Sequence, residues 1–499
     1  MEILNDIVSH LSVYMFLLIV LGVCVGIIGG ALPGISSTTT VALCATFAYT
    51  MQFHDAIMFL CATQVGSTYG GSISATILNI PGTPASAATA LEAYPMAREG
   101  RGRKALAINA MASFWGNTIG ALLLLVIMPF ALSLSLAFGS WEYFWFSVFG
   151  LVICAQLSRG DFLKGLFSAC FGLLVSFVGS DPIYGAGALR FTYGVDYLKD
   201  GIGLIPAMVG LYGMSEVFTS LIDYGEKTVP LKDNTLFAFR ELWERKWTAL
   251  RVSIVGFIIG VIPGVGSNIA SWVGYNQAYS GSKHKEEFGH GSIDGLIGSE
   301  AANNACAPGT YAPLLALGVP GDGVTAVILG ILTVQGIQTG ANFMSNNPEF
   351  IYLLVFGLLV AGVLFLLIGT VTGRAICRVL EAPLPIIMAA VICLCAVGAY
   401  SNSNRYGDIV IMFIFGVIGL IMRKWSIPSS PLVLGIVVGG SLVDSNFRRA
   451  VLAGKGDMSP FVTRPISLVL LLILVFIIAK EFLWPVIKAK RDASGAEKQ

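Results

Sequence analysis

The sequence predicts an all-α polytopic membrane protein, and three observations carry that prediction. The chain has 499 residues, of which 55% are hydrophobic and only 12% are charged. Its mean hydropathy is +0.79, and many of its apolar runs approach the ~20 residues that a bilayer-spanning helix requires. The third observation is a set of polar interruptions inside those runs, where Gly, Ser, Thr, Asn and Pro replace apolar residues.

The charge balance and the missing signatures exclude several classes of function. A net charge of +1 gives no indication of a nucleic-acid partner. The nine cysteines form no CxxC pair and the four histidines stand at no metal-ligand spacing, so no metal site is predicted. The chain contains no GxxxxGK[ST], HExxH or GxSxG motif. We therefore predict no catalytic residues and no cofactor, and any active process would have to draw on an ion gradient.

Two stretches in the first half interrupt the helical pattern, residues 31–40 and residues 66–84. Their Gly and Pro residues break helices and leave backbone amides and carbonyls without intrahelical partners. Such groups cost several kcal/mol each in a bilayer, so they are tolerated only where they are buried in protein or line a wet cavity. Both stretches are therefore candidate sites.

The same interruptions recur in the second half in the same order. Pro33-Gly34 matches Pro263-Gly264 at a shift of 230, and Gly66-Ser67 matches Gly298-Ser299 at a shift of 232. The segment 78–83, LNIPGT, matches 317–322, LGVPGD, at a shift of 239. Three matched blocks indicate an internal duplication. We divide the chain into a first repeat (1–221), a cytoplasmic linker (222–251), a second repeat (252–485) and a cytoplasmic tail (486–499).

The basic loops predict that the two repeats have opposite orientations. In the first half, loop 52–55 has no Lys or Arg, whereas loop 92–104 carries four basic residues. In the second half the order is reversed, because the basic loop 281–290 precedes the interruption and the uncharged loop 333–348 follows it. Inverted-topology repeats with broken or re-entrant helices are typical of secondary transporters, whose sites lie near the midplane. Arg448, Arg449 and Lys455 do not fit the alternation of cytoplasmic and periplasmic loops that the other basic residues predict.

The polar residues of the interruptions form the predicted substrate-binding set. Helix N-termini at membrane depth direct amides and a partial positive charge towards an anion. No Arg or Lys lies inside these motifs, so dipoles and polar side chains would hold the anion. The alternative is that the small residues only permit close helix packing. The predicted residues are Pro33, Gly34, Ser36, Ser37, Thr38, Asn79, Pro81, Gly82, Thr83, Pro263, Gly264, Ser267, Asn268, Pro320 and Gly321.

Two carboxylates stand beside the second-half motifs, Glu300 and Asp322, at positions that the alignment matches to Thr68 and Thr83. An ionisable group at membrane depth is costly and by default functional. We predict a role in binding a coupling cation or proton, and the alternative for each is to cap a half-helix. The predicted cation-coupling set is Ser67, Thr68, Glu300, Asn303, Asn304 and Asp322.

The motifs resemble the large membrane subunit of the tripartite tricarboxylate transporters. The resemblance runs through residues 69–120 and continues through residues 260–278 and 298–323, including EAANNA and the paired PG motifs. It implies a multi-pass protein of the bacterial inner membrane that imports di- or tricarboxylates, or related organic anions, with Na+ or H+. It also implies a small membrane subunit of about four helices, a periplasmic solute-binding protein, and an elevator-like movement of the broken helices.

Two other classes stay open at this stage. An ion or small-solute channel also uses inverted repeats and broken helices, and saturable, gradient-driven accumulation would exclude it. A polytopic enzyme acting on lipid would require a catalytic constellation, and the sequence offers only scattered loop histidines.

Overall fold

Long apolar runs fold into helices that satisfy their own backbone hydrogen bonds, which is the requirement for crossing a bilayer. The computed structural model describes residues 12–32, 35–157, 162–181, 183–220, 231, 233–380 and 384–496. The helices of the first half are α1 Val13–Ala31, α2 Ser37–Ala48, α3 Phe53–Leu78, α4 Ala87–Met96, α5 Gly102–Leu136, α6 Ser140–Leu157, α7 Phe162–Ser176, α8 Leu204–Met208 and α9 Ser215–Ser220.

The second half continues the helical pattern. Its helices are α10 Phe239–Glu244, α11 Lys246–Val261, α12 Gly266–Gly281, α13 Ile293–Gly309, α14 Tyr311–Leu317, α15 Gly323–Val334, α16 Ala341–Asn346, α17 Glu349–Leu380, α18 Leu384–Ser403, α19 Tyr406–Lys424, α20 Ser430–Val438, α21 Ser445–Ala453, α22 Pro460–Thr463 and α23 Pro465–Ala496. Among the described residues, five helical stretches are long and apolar enough to cross a membrane. The prediction of an all-α multi-pass membrane protein is confirmed, with one β-hairpin that was not predicted.

The first predicted break is present in both halves. Helix α1 ends at Ala31 and α2 begins at Ser37, while α11 ends at Val261 and α12 begins at Gly266. The Ser36 hydroxyl caps α2 by accepting a hydrogen bond from the Thr39 amide at 3.1 Å. Pro33 and Gly34, two of the predicted binding residues, lie outside the described residues.

The prediction of a long interruption over residues 66–84 is wrong for most of its length. Helix α3 continues to Leu78, and only the segment 79–83 leaves the helical conformation before a 3₁₀ turn at Pro84–Ser86. The Ser and Thr side chains do not break the helix, because their hydroxyls donate to carbonyls of the preceding turn. Thr68 donates to the Gln64 carbonyl at 2.9 Å, and Thr76 donates to the Ser72 carbonyl at 2.6 Å.

Glycines let α1 pack directly on α3, and α11 packs on α13 in the same way. A Cβ on Gly26 would lie 2.4 Å from the Thr63 carbonyl oxygen, and one on Gly256 would lie 2.2 Å from that of Ala302. Two further contacts of the first half recur in the second. Gly30 packs on Ser67 as Gly260 packs on Cys306, and Gly70 packs on Ile27 as Gly309 packs on Phe257.

These contacts correct the sequence alignment. They match α1 to α11 at a shift of 230 and α3 to α13 at a shift of 239. The alignment of Gly66-Ser67 with Gly298-Ser299 at a shift of 232 is therefore wrong, and the residue equivalent to Glu300 is Cys61, not Thr68. The Gly-Ser dipeptide misled the alignment because such pairs recur in closely packed membrane helices.

The predicted linker 222–251 is partly helical, since α10 lies within it and α11 begins at Lys246. Asp233 accepts hydrogen bonds from the amides of Arg103 and Lys104 at 2.7 and 2.8 Å, and so caps α5. Arg245 pairs with Asp294 at 2.8 Å. The linker thus binds the first turn of α5 and the first turn of α13.

Contacts divide the chain into two compact units. Unit 1 comprises Met1–Ser135 and Ile202–Trp425, and unit 2 comprises Leu136–Gly201 and Ser426–Gln499. Every helix break described above lies in unit 1. This grouping does not test the division into repeats, which concerns duplication of sequence and stays a prediction.

In unit 2, strands β1 Gly179–Asp181 and β2 Gly185–Arg190 form an antiparallel hairpin. Asp181 pairs with Arg448 at 2.6 Å, and Arg190 pairs with Asp444 at 2.9 Å. Arg448 failed to fit the count of basic residues, and these pairs explain why: its charge is compensated within the protein. A charge that is compensated in this way is weak evidence for a cytoplasmic location.

Candidate functional site

Each half of unit 1 builds its break from two chain segments. Asn79 (φ 57°) follows the last residue of α3 and Gly318 (φ 70°) follows the last residue of α14, both in the left-handed conformation that terminates helices. The chain then returns towards the preceding break. A Cβ on Gly82 would lie 2.1 Å from the Gly30 carbonyl oxygen, and one on Gly321 would lie 2.9 Å from that of Gly260. Glycine is required at both positions because backbone approaches backbone.

Helix N-termini from different halves meet at these breaks. Helix α2 begins beside the first residue of α15, where a Cβ on Gly323 would lie 3.2 Å from the hydroxyls of Thr38 and Tyr212. Helix α12 likewise packs against the turn Pro84–Ser86. The amides of a helix N-terminus carry a partial positive charge. The arrangement therefore places anion-attracting helix ends at the interruptions, although no Arg or Lys belongs to the motifs.

The predicted substrate-binding residues separate by burial. The buried ones, Gly82, Thr83, Pro263, Pro320 and Gly321, hold the turns together. The more accessible ones lie at the helix starts and turns, and are Ser36, Ser37, Thr38, Asn79, Pro81, Gly264, Ser267 and Asn268. Only the second set is open to a ligand in this conformation.

Glu300 lies at the centre of a buried polar pocket in unit 1. Its side chain is fully buried on α13. Its Oε1 accepts hydrogen bonds from the hydroxyls of Ser72, at 2.6 Å, and Thr89. Its Oε2 accepts a hydrogen bond from the Ser113 hydroxyl at 2.8 Å. Helices α3, α4 and α5 therefore each contribute one hydroxyl to a carboxylate on α13.

No basic side chain compensates this carboxylate among the residues that the structure describes. Asn304 extends the pocket, because its amide donates to the Ser113 hydroxyl at 2.9 Å and to the Glu300 carbonyl at 3.0 Å. Asn303 is also fully buried, and neither its amide nitrogen nor its amide oxygen has a hydrogen-bond partner in the described part of the chain. A buried carboxylate without a counter-charge is costly unless a cation or proton joins it.

The other residues predicted to couple a cation, Ser67, Thr68 and Asp322, form hydrogen bonds within their own chain segments. Ser67 and Thr68 donate their hydroxyls to the Gln64 carbonyl on their own helix, at 3.0 and 2.9 Å. Asp322 caps α15 by accepting a hydrogen bond from the Thr325 amide at 2.8 Å, and the Thr325 hydroxyl accepts one from the Asp322 amide at 2.9 Å. This capping box is the alternative that the sequence left open for Asp322.

Sequence reasoning missed the three hydroxyls that surround Glu300. Ser72, Thr89 and Ser113 come from separate helices, and each alone is an ordinary residue for a membrane helix. It also missed Glu92, which is fully buried on α4. The sequence did contain an indication of Glu92, because it is a carboxylate beside apolar residues, as Glu300 and Asp322 are.

Glu92 binds the loop that precedes α13. Its Oε2 accepts the amides of Gly291, at 2.9 Å, and Ser292, at 2.8 Å. Its Oε1 accepts the Gly289 amide and the Tyr275 hydroxyl, both at 2.7 Å. The carboxylate thereby neutralises the partial positive charge at the start of α13 and joins the predicted basic loop 281–290 to α4, while the other predicted basic loop, 92–104, is helical.

The helical architecture and the paired breaks define a multi-pass membrane transport protein. The chain belongs to the tripartite tricarboxylate transporter TctA family, whose sequence pattern matches residues 16–434. That family comprises transporters and not enzymes, and a channel finds no support from it. The chain is 36% identical over 474 residues to an "uncharacterized 52.8 kDa protein in TAR-I ttuC' 3'region" of Agrobacterium vitis, covering 94% of this chain and 93% of that protein.

A second relative from Agrobacterium vitis is shorter. It is an "uncharacterized protein in TAR-II ttuC' 3'region", 34% identical over 238 residues, which cover 48% of this chain and 97% of that protein. No solved structure matches the chain significantly. The membership confirms the resemblance drawn from the motifs.

Proposed function

We propose that this chain is the large transmembrane subunit of a binding-protein-dependent secondary transporter of the bacterial inner membrane. It imports di- or tricarboxylates, or related organic anions, by symport with Na+ or H+. Its partners are a small membrane subunit of about four helices and a periplasmic solute-binding protein. Membership of the TctA family supports the role of a tricarboxylate transporter membrane subunit. The coupling ion, the direction of transport, the partners and the inner-membrane location are proposed.

The observation that carries the symport is the Glu300 pocket. A fully buried carboxylate without a basic partner has a strong affinity for a small cation, since charge in a medium of low dielectric constant is costly. Binding Na+ or H+ there neutralises the site and lowers the cost of moving it. The unpartnered amide of Asn303, one helical turn away, supplies a further oxygen for a cation.

The substrate carboxylates bind at the meeting helix N-termini in this proposal. Amides at the starts of α2 and α15, with the Thr38 hydroxyl beside them, attract an anion without an arginine. Asn268 and Ser267 offer the same chemistry at the start of α12. A site without fixed positive charge binds a polyanion weakly by itself, so a co-bound cation strengthens the binding and links the two fluxes.

Contacts between the halves support a two-fold relation between the repeats. In a two-fold arrangement, every contact between the repeats occurs twice. If residue i of the first repeat contacts the second-repeat equivalent of residue j, then residue j contacts the second-repeat equivalent of residue i. Ser72 bonds Glu300, and their equivalents Tyr311 and Cys61 also lie beside each other. A similar exchange, one residue out of register, joins the Gln335 amide to the Met51 carbonyl at 3.1 Å and Met96 to Gly291.

The loops that touch each other support the inverted orientation. The loop before α3 meets the segment after α15, where the ring of Phe53 lies 5.9 Å from that of Phe343. Helix α4 meets the segment before α13 through Glu92. Because α3 has 26 residues, about 39 Å of helix, these two meeting places lie at opposite ends of it. Such an exchange of ends favours an axis in the membrane plane.

We also propose that the broken helices move as one body, as in an elevator mechanism. All the breaks lie in unit 1, which is a compact unit of its own. Cross-linking that freezes the breaks against the surrounding helices would stop transport if this proposal is correct. Transport that persists with such a cross-link in place would refute it.

The experiment that tests the function is uptake of labelled carboxylates into proteoliposomes that contain this chain and its small subunit. Each carboxylate is delivered on the binding protein, with an inward Na+ gradient, a proton gradient, or neither. Accumulation only with Na+ identifies sodium symport, and accumulation only with the proton gradient identifies proton symport. Equilibration without accumulation under either gradient would refute symport and support a channel.

A further inference from the structure

The β-hairpin of unit 2 and the loop that follows it expose large aromatic side chains. Tyr193 is 86% exposed, Tyr184 is 65% exposed and Phe191 is 53% exposed. Aromatic residues at this exposure lose favourable burial, at ~25 cal/mol for each Å² left in water. Three such side chains within ten residues of one non-helical segment indicate a surface that another molecule covers.

The base of this surface is rigid. The Asp181 carboxylate accepts the amides of Ile183 and Tyr184 at 2.8 and 2.9 Å, and it also pairs with Arg448. The Arg448 guanidinium lies 5.0 Å from the ring centroid of Tyr184. The turn is therefore fixed by one carboxylate that is itself almost completely buried, so Tyr184 is held in place before any partner binds.

The backbone that follows β2 adopts an unfavourable conformation. Phe191 and Tyr193 have φ values of 53° and 49°, in the left-handed region that bulky residues rarely adopt. Non-glycine residues in this region are strained, and they concentrate at sites with a function. Both strained residues are among the most exposed aromatic residues of the segment.

The predicted topology puts the segment on the periplasmic side. The basic linker 222–251 is predicted to be cytoplasmic, and one apolar helical stretch, residues 204–220, separates it in the chain from the hairpin and is predicted to cross the membrane. The hairpin and its loop, residues 179–200, therefore emerge on the side where a periplasmic partner arrives. This step rests on the proposed function and its topology.

We propose that residues 179–200 form the docking surface for the soluble, carboxylate-loaded binding protein of this transporter. The family is tripartite, so a soluble partner has to meet this side of the membrane subunits. Tyrosine and other large aromatic residues dominate the binding energy of protein interfaces, where rigid presentation lowers the entropic cost. The competing occupant is lipid, because aromatic residues also line the headgroup region.

The test measures the affinity of the purified binding protein, with and without citrate, for the transporter in lipid nanodiscs. The Phe191→Ala/Tyr193→Ala double variant is compared with Trp247→Ala, which removes an aromatic residue that is 74% exposed at the start of α11. We expect the double variant to weaken binding about 10-fold or more and Trp247→Ala to leave it unchanged. In uptake assays, excess binding protein should restore the maximal rate of the double variant.

A photo-activated cross-linker at position 193 distinguishes the two occupants. Cross-links to the binding protein are the expected result, and cross-links to lipid alone would overturn the proposal. Unchanged affinity in the double variant, or an equal loss in Trp247→Ala, would also overturn it. Binding in nanodiscs needs no gradient, so a chain that binds its partner through this surface but accumulates nothing would refute the symport and leave the docking surface intact.

Discussion

Two buried carboxylates on neighbouring helices of unit 1 have different kinds of hydrogen-bond donor. Glu92 on α4 accepts three backbone amides and one tyrosine hydroxyl. Glu300 on α13 accepts only side-chain hydroxyls, from Ser72, Thr89 and Ser113. Both side chains are fully buried. Burial and residue type are therefore the same, and only the donors differ.

The difference separates a structural carboxylate from one that is suited to exchange an ion. A backbone amide can only donate, so it favours the anion and cannot accept the proton of a carboxylic acid. A hydroxyl both donates and accepts, so it can satisfy a carboxylate, a carboxylic acid or a bound cation by rotating. The Glu92 pocket, in which three of the four donors are amides, favours the charged form, whereas the all-hydroxyl Glu300 pocket accommodates a change.

The largest effect is expected for Glu300→Gln. The amide removes the negative charge and keeps the shape, so the protein should assemble but lose its dependence on the coupling ion. If the coupling free energy is about 3 kcal/mol, accumulation should fall roughly 150-fold. The measurement is uptake under an ion gradient, with the yield of assembled protein as the control. Accumulation that keeps its full ion dependence would show that Glu300 does not bind the ion.

Glu92→Gln should have the opposite signature. The substitution leaves backbone amides facing an amide nitrogen, and buried donors without an acceptor cost about 1–3 kcal/mol. We expect a decrease of about 2 kcal/mol in the free energy of unfolding, measured in detergent, with the ion dependence of uptake unchanged. A normally stable variant with altered ion dependence would reverse the roles assigned to the two carboxylates.

Substitutions at Thr89 sharpen the comparison, because its hydroxyl bonds Glu300 directly. Thr89→Val keeps the shape and removes the hydroxyl, and Thr89→Ser keeps the hydroxyl. The loss of one bond to a charged group, about 1.5 kcal/mol, should change the half-saturating ion concentration roughly 10-fold in Thr89→Val. Thr89→Ser should resemble the unmodified chain. A higher half-saturating Na+ concentration in Thr89→Val identifies the hydroxyl as a ligand, and equal behaviour of both variants would exclude it.

The sequence predicted the class of fold because that class follows from composition and helix length alone. It also located the breaks at residues 31–37 and 261–266, since Gly and Pro interrupt helices wherever they occur together. It failed over residues 66–78, because Ser and Thr bond to their own helix there. Local propensity cannot distinguish these two outcomes. It did not predict the hairpin of unit 2.

The candidate site was only half predictable for the same kind of reason. Glu300 was identified because a membrane-depth carboxylate is unusual by itself. Ser72, Thr89 and Ser113 are not unusual, and only the packing of α3, α4 and α5 around α13 brings their hydroxyls together. Asp322 shares its residue class with Glu300, yet the structure assigns it to the capping box of α15. The role of a buried carboxylate depends on the groups that donate hydrogen bonds to it, and the sequence alone does not show which groups these are.

Asp181 extends the comparison to a carboxylate in the β-hairpin, outside the helices, and should have the smallest effect. The Tyr184 amide, with the Arg448 guanidinium and the Ile183 amide, holds the pKa of Asp181 well below its usual range. A lowered pKa in the folded state stabilises the protein above the unfolded value of about 3.9, and that stabilisation is lost as the pH falls through the folded value. Hydrogen exchange of residues 179–200 should therefore stay protected from about pH 8 to about pH 5 and weaken only below about pH 4. Protection that is lost above about pH 5 would mean that the Asp181 network does not fix the hairpin. Unfolding of the hairpin would then add a second source of pH dependence to uptake, besides Glu300.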